Sequence, residues 1–188
     1  MDVLTSTNAG RTALIIRDAI ETDLEACVRL DHTYTTDQVW QMELQEEPGR
    51  VGVAFRPVRL PRPMRVVYAR DAETLQRAWD QHGCFLVASV SGRVHGYLTM
   101  QADIERGNGW VRDLAVEEGW RRRGIGGALL KAARQWAREN GLSRLTVETQ
   151  TKNFPAICFC EKHGLTFCGF NDQYYPNQDI ALFFAQRV

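Results

Sequence analysis

The stretch from Trp110 to Asn140 constrains the fold of this chain more than any other segment. It reads as an apolar strand over 110–116, a turn rich in arginine and glycine, and an amphipathic helix over 126–140. Glycine allows backbone conformations that other residues avoid, and the first N–H groups of a helix have no partner inside it. The turn therefore predicts a binding site for a phosphate-bearing ligand, most simply a pyrophosphate. The residues of this predicted site are Arg121, Arg122, Arg123, Gly124, Ile125, Gly126 and Gly127.

This turn differs from the two common phosphate-binding loops. A P-loop needs a Lys-Ser/Thr pair after its last glycine, and no such pair follows here. A dinucleotide-binding fingerprint begins directly after its strand, whereas these glycines come several residues past the strand end at Val116. The spacing Arg121-x-x-Gly124-x-Gly126 resembles the acetyl-CoA loop of the GNAT family of N-acetyltransferases, Gln/Arg-x-x-Gly-x-Gly/Ala.

Composition and charge bound what the rest of the chain can be. A chain of 188 residues, 44% of them hydrophobic, is expected to form one domain over 1–188. Basic and acidic residues number 23 each, so no net charge attracts nucleic acid or a membrane surface. The basic run 121–123 is too short for a nucleic-acid footprint. No segment resembles a leader or a membrane span, so we expect a cytoplasmic protein. Residues 1–11 are polar, and we expect them to be flexible.

The five cysteines predict neither a disulfide framework nor a metal centre. Their number is odd and no CxxC spacing occurs, so reduced thiols are expected. Cys158, Cys160 and His163 could be drawn as a metal cluster, but positions 158 and 160 face different sides of a helix. No fourth ligand is near them in sequence, and we therefore expect no bound metal.

Hydrophobic patterns predict strands that first run as hairpins and then alternate with helices. This order implies an α/β (α+β) fold, in which helices flank a mixed sheet of about seven strands. The predicted strands are 13–17, 52–56, 64–68, 85–90, 94–101, 110–116, 144–150, 167–170 and 180–185. The predicted helices are 22–30, opened by a capping box at Thr22, a second helix capped by Thr36 and carrying Val39, Trp40 and Leu44, and 72–81, 126–140 and 153–163.

A second motif extends the GNAT resemblance to about residues 80–188. In this family the helix after the next strand reads close to Asn-x-x-Ala-x-x-Phe-Tyr-x-x-x-Gly-Phe. The chain has Asn153, Ala156, Phe159 and Gly164 in register, with Cys160 in place of the tyrosine and Leu165 in place of the last phenylalanine. The resemblance implies the GNAT fold, acetyl-CoA as cosubstrate and direct transfer of acetyl to an amine. Dimers are frequent in the family, so the resemblance makes a homodimer one option and leaves the oligomeric state open.

A narrower resemblance concerns the acceptor. The segments 31–36, 113–116, 147–150 and 167–172 resemble streptothricin acetyltransferases. This favours the primary amine of a small cationic molecule, with a streptothricin-like antibiotic as one candidate. Ribosomal-protein alanine acetyltransferases share the spacing of five from Glu148 to Asn153 and a Tyr-Tyr-Pro, so acetylation of a protein N-terminus is an alternative. A non-catalytic CoA-binding sensor is a third hypothesis, because Cys160 departs from the family pattern.

The resemblance also implies which residues hold the cofactor. Main-chain N–H groups of Leu114, Ala115 and Val116 would bond the pantetheine and the thioester carbonyl, while their side chains pack in the core. Asn153 would contact the pantetheine arm, and it is also a good helix N-cap on geometry alone. Ala156 and Phe159 occupy matching positions of the same motif and are assigned to the cofactor site.

Three residues are candidates for proton transfer. Glu148 stands at a strand end and is either the general base for the ammonium substrate or a solvated carboxylate. Asp113 is an anchor for a cationic substrate, an alternative base, or a structural hydrogen-bonding group. Cys160 would protonate the departing thiolate, although a thiol is a weaker and shorter donor than the phenol it replaces, and simple burial explains it as well. Water, Tyr174 or Tyr175 are the alternative proton donors.

Aromatic and acidic residues supply candidates for the acceptor site, because such groups suit a cationic amine. Tyr34, Asp37 and Trp40 fall where the first-half helices of the family border the acceptor pocket, although core packing explains Trp40 equally well. Tyr174 and Tyr175 are assigned to the same site.

Overall fold

The computed structural model describes residues 13–67, 72–81 and 83–188, so the prediction of a flexible 1–11 lies outside the described residues. The strands are β1 (Leu14–Asp18), β2 (Tyr34–Glu47), β3 (Arg50–Val66), β4 (Cys84–Val90), β5 (Arg93–Asp103), β6 (Asn108–Val116), β7 (Arg144–Gln150), β8 (Thr166–Asn171) and β9 (Ala181–Arg187). The helices are α1 (Leu24–Val28), α2 (Ala72–Asp80), α3 (Ile125–Glu139) and α4 (Phe154–Lys162), with 3-10 turns at Glu21–Asp23 and Glu118–Trp120.

Seven strands form one mixed sheet in the order β1-β4-β5-β6-β7-β9-β8, and β2 and β3 form a separate two-stranded sheet. The β1–β4, β4–β5 and β5–β6 pairs are antiparallel, whereas β6 and β7 run parallel. Every residue of β4 is buried, as expected for a strand covered on both faces. The seven-stranded mixed sheet with its helices confirms the predicted fold class.

Two compact units account for the internal packing of the chain. The first comprises 1–32, 68–147 and 185–188, and the second comprises 33–67 and 148–184. The single domain expected from chain length stays a prediction.

The first unit is built around the apolar face of α3. Its buried residues recur at helical spacing, and α3 packs on β4, β5 and β6. Full burial of each leucine on this face contributes about 2 kcal/mol of transfer free energy. The buried residues of this face therefore hold α3 against the sheet. They are Ile125, Leu129, Leu130, Ala133 and Ala137.

An aromatic cluster forms the core of the second unit. Trp40 of β2 and Phe55 of β3 meet Phe167 of β8 and Phe184 of β9, with ring centroids 5.4–6.1 Å apart. Most of these pairs are edge-to-face or tilted, the arrangements that the ring quadrupoles favour. The cluster holds the two-stranded sheet in the unit and determines which face of β2 points inward.

The predicted helix at Thr36 is wrong, because this segment belongs to β2. The predicted strands 52–56 and 64–68 are likewise parts of one long β3, except that residue 68 lies outside the described residues. Trp40 N donates to the Thr151 carbonyl at 2.9 Å, so this N–H points away from the opposite residue, Pro57. A proline fits opposite such a residue because it has no N–H to donate to the ladder.

The first helix also differs from its prediction. A 3-10 turn over Glu21–Asp23 precedes a short α1, and Thr22 is not its N-cap. The Asp23 carboxylate instead accepts from Ile20 N at 2.9 Å and from both terminal nitrogens of Arg17. The arginine contact is the main reason that the pKa of Asp23 is lowered. Among the described residues, no helix has the length and hydropathy to cross a membrane.

Candidate active site

A β-bulge reshapes β6 just before its predicted cofactor-binding end. Thr99 of β5 pairs with Asp113 and Met100 pairs with Val111, so Arg112 is the extra residue. Such a bulge bends the strand and re-aims the residues that follow it. The parallel ladder with β7 ends at the Val111–Val147 pair, whereas β6 continues to Val116. The edge of Leu114–Val116 on the β7 side therefore lies beyond that ladder.

Gly124 is the N-cap residue of α3, in a conformation that suits an anion site. Its φ is +87°, in the left-handed region that favours glycine, and among the described residues no side chain caps the helix. The first N–H groups of α3 are consequently not occupied by a side-chain cap from these residues. Arg122 and Arg123 are exposed beside this start, so the turn combines main-chain donors with exposed positive charge.

Arg121 has a different role from its two neighbours. Its Nε donates to the Val116 carbonyl at 2.8 Å, and a terminal nitrogen donates to the Asp31 carbonyl at 2.9 Å. A guanidinium with these contacts holds the main chain of the turn in place. Arg121 therefore shapes the predicted anion site, and it need not contact the anion.

A stacked group braces the same turn and was not found by sequence reasoning. His95 lies 4.0 Å from Trp120, centroid to centroid, and the Arg123 guanidinium is 5.0 Å from the Trp120 ring centre. The buried His95 also contacts the Glu117 carboxylate, which pairs with Arg93. The sequence carries no local signal for this group, because His95 and Trp120 are brought together only by the β5–β6 pairing.

Asp113 is buried in the sheet. Its Oδ2 accepts a hydrogen bond of 2.6 Å from Thr99 Oγ1 on the neighbouring strand. A buried carboxylate with a cross-strand donor stabilises local pairing, and this favours the structural alternative over a role as base.

Glu148, Tyr174 and Tyr175 come together in the second unit. The Tyr174 hydroxyl donates to Oε2 of Glu148 at 2.7 Å, and the Tyr175 hydroxyl donates to Oε1 at 3.4 Å. Sequence reasoning named all three residues but assigned the tyrosines to the acceptor without linking them to the carboxylate. We call this group the Glu148 cluster.

The start of α4 follows the predicted motif. Asn153 Oδ1 accepts from Ala156 N at 3.2 Å, which makes Asn153 the N-cap of α4. Phe159 is half-buried and its ring lies 4.4 Å from that of His163. The capping alternative for Asn153 is therefore realised, and its amide nitrogen is the atom that would contact a pantetheine arm.

Cys160 is fully buried on α4, whereas Cys158 is exposed. Burial raises the pKa of the Cys160 thiol to about 12, because a thiolate would lose its solvation. Releasing this proton to a leaving group would leave a desolvated thiolate, so the site favours packing over proton donation. All five cysteines are free thiols, and no set of three metal-ligating side chains occurs within the described ranges.

The three first-half candidates lie on β2 and not on a helix. The Tyr34 hydroxyl is buried and has no hydrogen-bond partner within the described part of the chain, and burial raises its pKa, with Asp179 adding to the shift. Asp37 pairs with Arg59 at 3.5 Å. Trp40 belongs to the aromatic cluster, which supports the core-packing alternative for its side chain.

Known proteins resemble this chain over most of its length. Streptothricin acetyltransferase from Streptomyces lavendulae is 28% identical over 164 residues, which are 85% of each chain. The crystal structure of nourseothricin acetyltransferase matches with a TM-score of 0.81 and 26% identity, over 94% of this chain and 99% of that one. A structure from Bacillus anthracis str. Ames, solved in complex with acetyl coenzyme A, has a TM-score of 0.74 and covers 94% of this chain and 100% of its own, and its 20% identity supports the fold alone.

The sequence profile of the Acetyltransferase (GNAT) family matches residues 53–165, which is more than half of the chain and includes the 121–127 turn and all of α4. The chain therefore belongs to the Acetyltransferase (GNAT) family and is an acetyl-CoA-dependent N-acetyltransferase.

Proposed function

We propose that the acceptor is the primary amine of a small cationic molecule, with a streptothricin-like antibiotic as the leading candidate. The Glu148 cluster carries this proposal: it offers one carboxylate beside two aromatic rings, and such a group attracts an ammonium ion through charge and cation–π contact. The similarity to a streptothricin acetyltransferase over 85% of the chain supports the same class of acceptor.

We assign the phosphates of acetyl-CoA to the N–H groups at the start of α3 and to the exposed Arg122 and Arg123. The observation behind this is the uncapped helix start at Gly124, where a glycine leaves room for an anion. Main-chain N–H groups of Leu114–Val116 would hold the thioester and the pantetheine. Asn153, Ala156 and Phe159 are proposed to contact the pantetheine at the start of α4.

Glu148 is the proposed general base. A primary ammonium must lose a proton before its nitrogen can attack the thioester carbonyl, and a carboxylate within reach of that proton accelerates the step. Asp113 is a weaker candidate because it is buried and bonded to Thr99. Cys160 is not assigned proton donation, because its burial opposes the thiolate. We assign the proton taken up by the departing thiolate to water.

The acceptor class is tested by following CoA release from acetyl-CoA with a panel of amines. The panel contains streptothricin, polyamines, aminoglycosides and alanine-starting peptides, each at several concentrations. We expect saturable turnover with streptothricin or another small polycation, at a kcat/KM at least tenfold above that with any peptide. Preference for peptides would move the assignment to protein N-terminal acetylation. Absence of turnover with every amine would contradict the proposed acceptor class.

A further inference from the structure

The two phenol contacts of Glu148 are unequal. The 2.7 Å distance from Tyr174 lies at the centre of the range for O–H···O hydrogen bonds, whereas the 3.4 Å distance from Tyr175 lies beyond it. Oε2 therefore has a firm donor in Tyr174, and the contact of Oε1 with Tyr175 is the weaker of the two.

Tyr174 is held by packing as well as by its hydroxyl. Its ring meets the Tyr175 ring edge-on at 5.1 Å and the Phe183 ring at 5.5 Å. Two edge-to-face contacts restrict the ring to one orientation. The phenol is thus aimed at Glu148 before any substrate arrives.

The segment between β8 and β9 that carries both tyrosines is anchored at each end. Asn171 Oδ1 accepts from Gln173 N at 2.9 Å at its start. At its end, Lys152 forms an ion pair with Asp179, and Thr151 N donates to the Ile180 carbonyl at 3.2 Å. The last two contacts tie the tyrosine segment to the residues that follow Glu148 in the chain.

We infer that Tyr174 is a positioning residue for acetyl transfer: it holds Oε2 of Glu148 and so orients this carboxylate for the substrate ammonium. In this step an N–H bond of the ammonium breaks, its electron pair stays on nitrogen, and the proton forms an O–H bond with the Glu148 carboxylate. The Tyr174 phenol keeps its own proton throughout. The inference rests on the proposed role of Glu148 as base.

The test measures kcat and KM for Tyr174→Phe and Tyr175→Phe with one acceptor. Loss of a phenol that orients the base impairs the transition state more than acceptor binding, so it lowers kcat. For Tyr174→Phe we expect kcat to fall about tenfold, with the KM of the acceptor within about twofold of the parent value. For Tyr175→Phe we expect a clearly smaller loss of kcat.

Tyr97→Phe is the control, because it removes a phenol that contacts His32. Its kcat should coincide with that of the parent protein. A raised KM with unchanged kcat for Tyr174→Phe, or a larger loss of kcat for Tyr175→Phe, would overturn the inference.

Glu148→Gln separates this inference from the proposed base. In the double variant with Tyr174→Phe we expect kcat to match that of Glu148→Gln alone, because a positioning residue acts only through the carboxylate. A further loss of kcat in the double variant would overturn the inference. Full activity of Glu148→Gln would instead overturn the proposed base.

Discussion

The turn before α3 and the Glu148 cluster are proposed to bind ligands of opposite charge by different means. At the turn, the proposed anion site combines main-chain N–H groups with two exposed arginines, and Gly124 supplies the backbone shape. At the cluster, a single carboxylate provides the negative charge, and two phenols donate to it.

This difference predicts how each region responds to substitution. Main-chain donors survive a change of side chain, so losses at the turn should be graded and should appear in acetyl-CoA affinity. The carboxylate has no substitute within the cluster, so its loss should appear in turnover.

Glu148→Gln should lower kcat about 100-fold or more at neutral pH, because removal of a general base costs 10²–10⁴ in rate. The amide keeps the size of the side chain, so acetyl-CoA affinity should stay within about twofold. CoA release and calorimetric titration measure the two quantities. Unchanged turnover would remove Glu148 as base, and Asp113→Asn would become the next variant to measure.

The double change Arg122→Ala and Arg123→Ala should raise the Kd of acetyl-CoA about tenfold with little effect on kcat. Exposed charge contacts contribute up to about 1 kcal/mol each, and salt screens them. The salt dependence of Kd should therefore flatten in the variant. Arg62→Ala is the control, because Arg62 is an exposed arginine of β3 outside the proposed site. A fall in kcat at saturating acetyl-CoA would contradict the assignment of the turn to cofactor affinity and of the Glu148 cluster to turnover.

Asn153→Ala should cost about 1 kcal/mol of unfolding free energy, because it removes the N-cap of α4. Asn153→Asp keeps an oxygen for the cap and loses the amide donor proposed for the pantetheine. We therefore expect the melting temperature to fall in Asn153→Ala alone, and acetyl-CoA affinity to fall in both variants. Parent-like affinity in Asn153→Asp would remove this residue from the cofactor site.

Cys160→Ala should have the smallest effect on rate, with kcat within about twofold of the parent, because no proton transfer is assigned to the thiol. The melting temperature should decrease, since a buried atom is lost from a fully enclosed site. Introducing the family's tyrosine here would overpack the same site and lower stability further. A kcat loss above about tenfold in Cys160→Ala, with melting intact, would restore a catalytic role to the thiol.

Prediction from sequence succeeded where local pattern and family motif agree. The strand, turn and helix over 110–140 follow from periodicity and glycine position, and the Asn153 motif fixed the start of α4. β2 was predicted as a helix because Val39, Trp40 and Leu44 fit either structure locally. Its pairing with β3 and the Trp40–Thr151 hydrogen bond decide the outcome, and both are long-range contacts.

The site shows the same limit. Glu148 and the two tyrosines could be named from family patterns, but residues 148 and 174 are joined by a contact that no spacing rule predicts. The support of the turn by His95 and Trp120 is likewise a product of strand register.

The most direct test measures kcat and acetyl-CoA Kd side by side for Glu148→Gln and for the Arg122→Ala, Arg123→Ala double variant. The division of roles predicts opposite outcomes: a large loss of turnover with parent-like Kd for the first, and a raised Kd with parent-like kcat for the second. Equal losses of both quantities in both variants would contradict it.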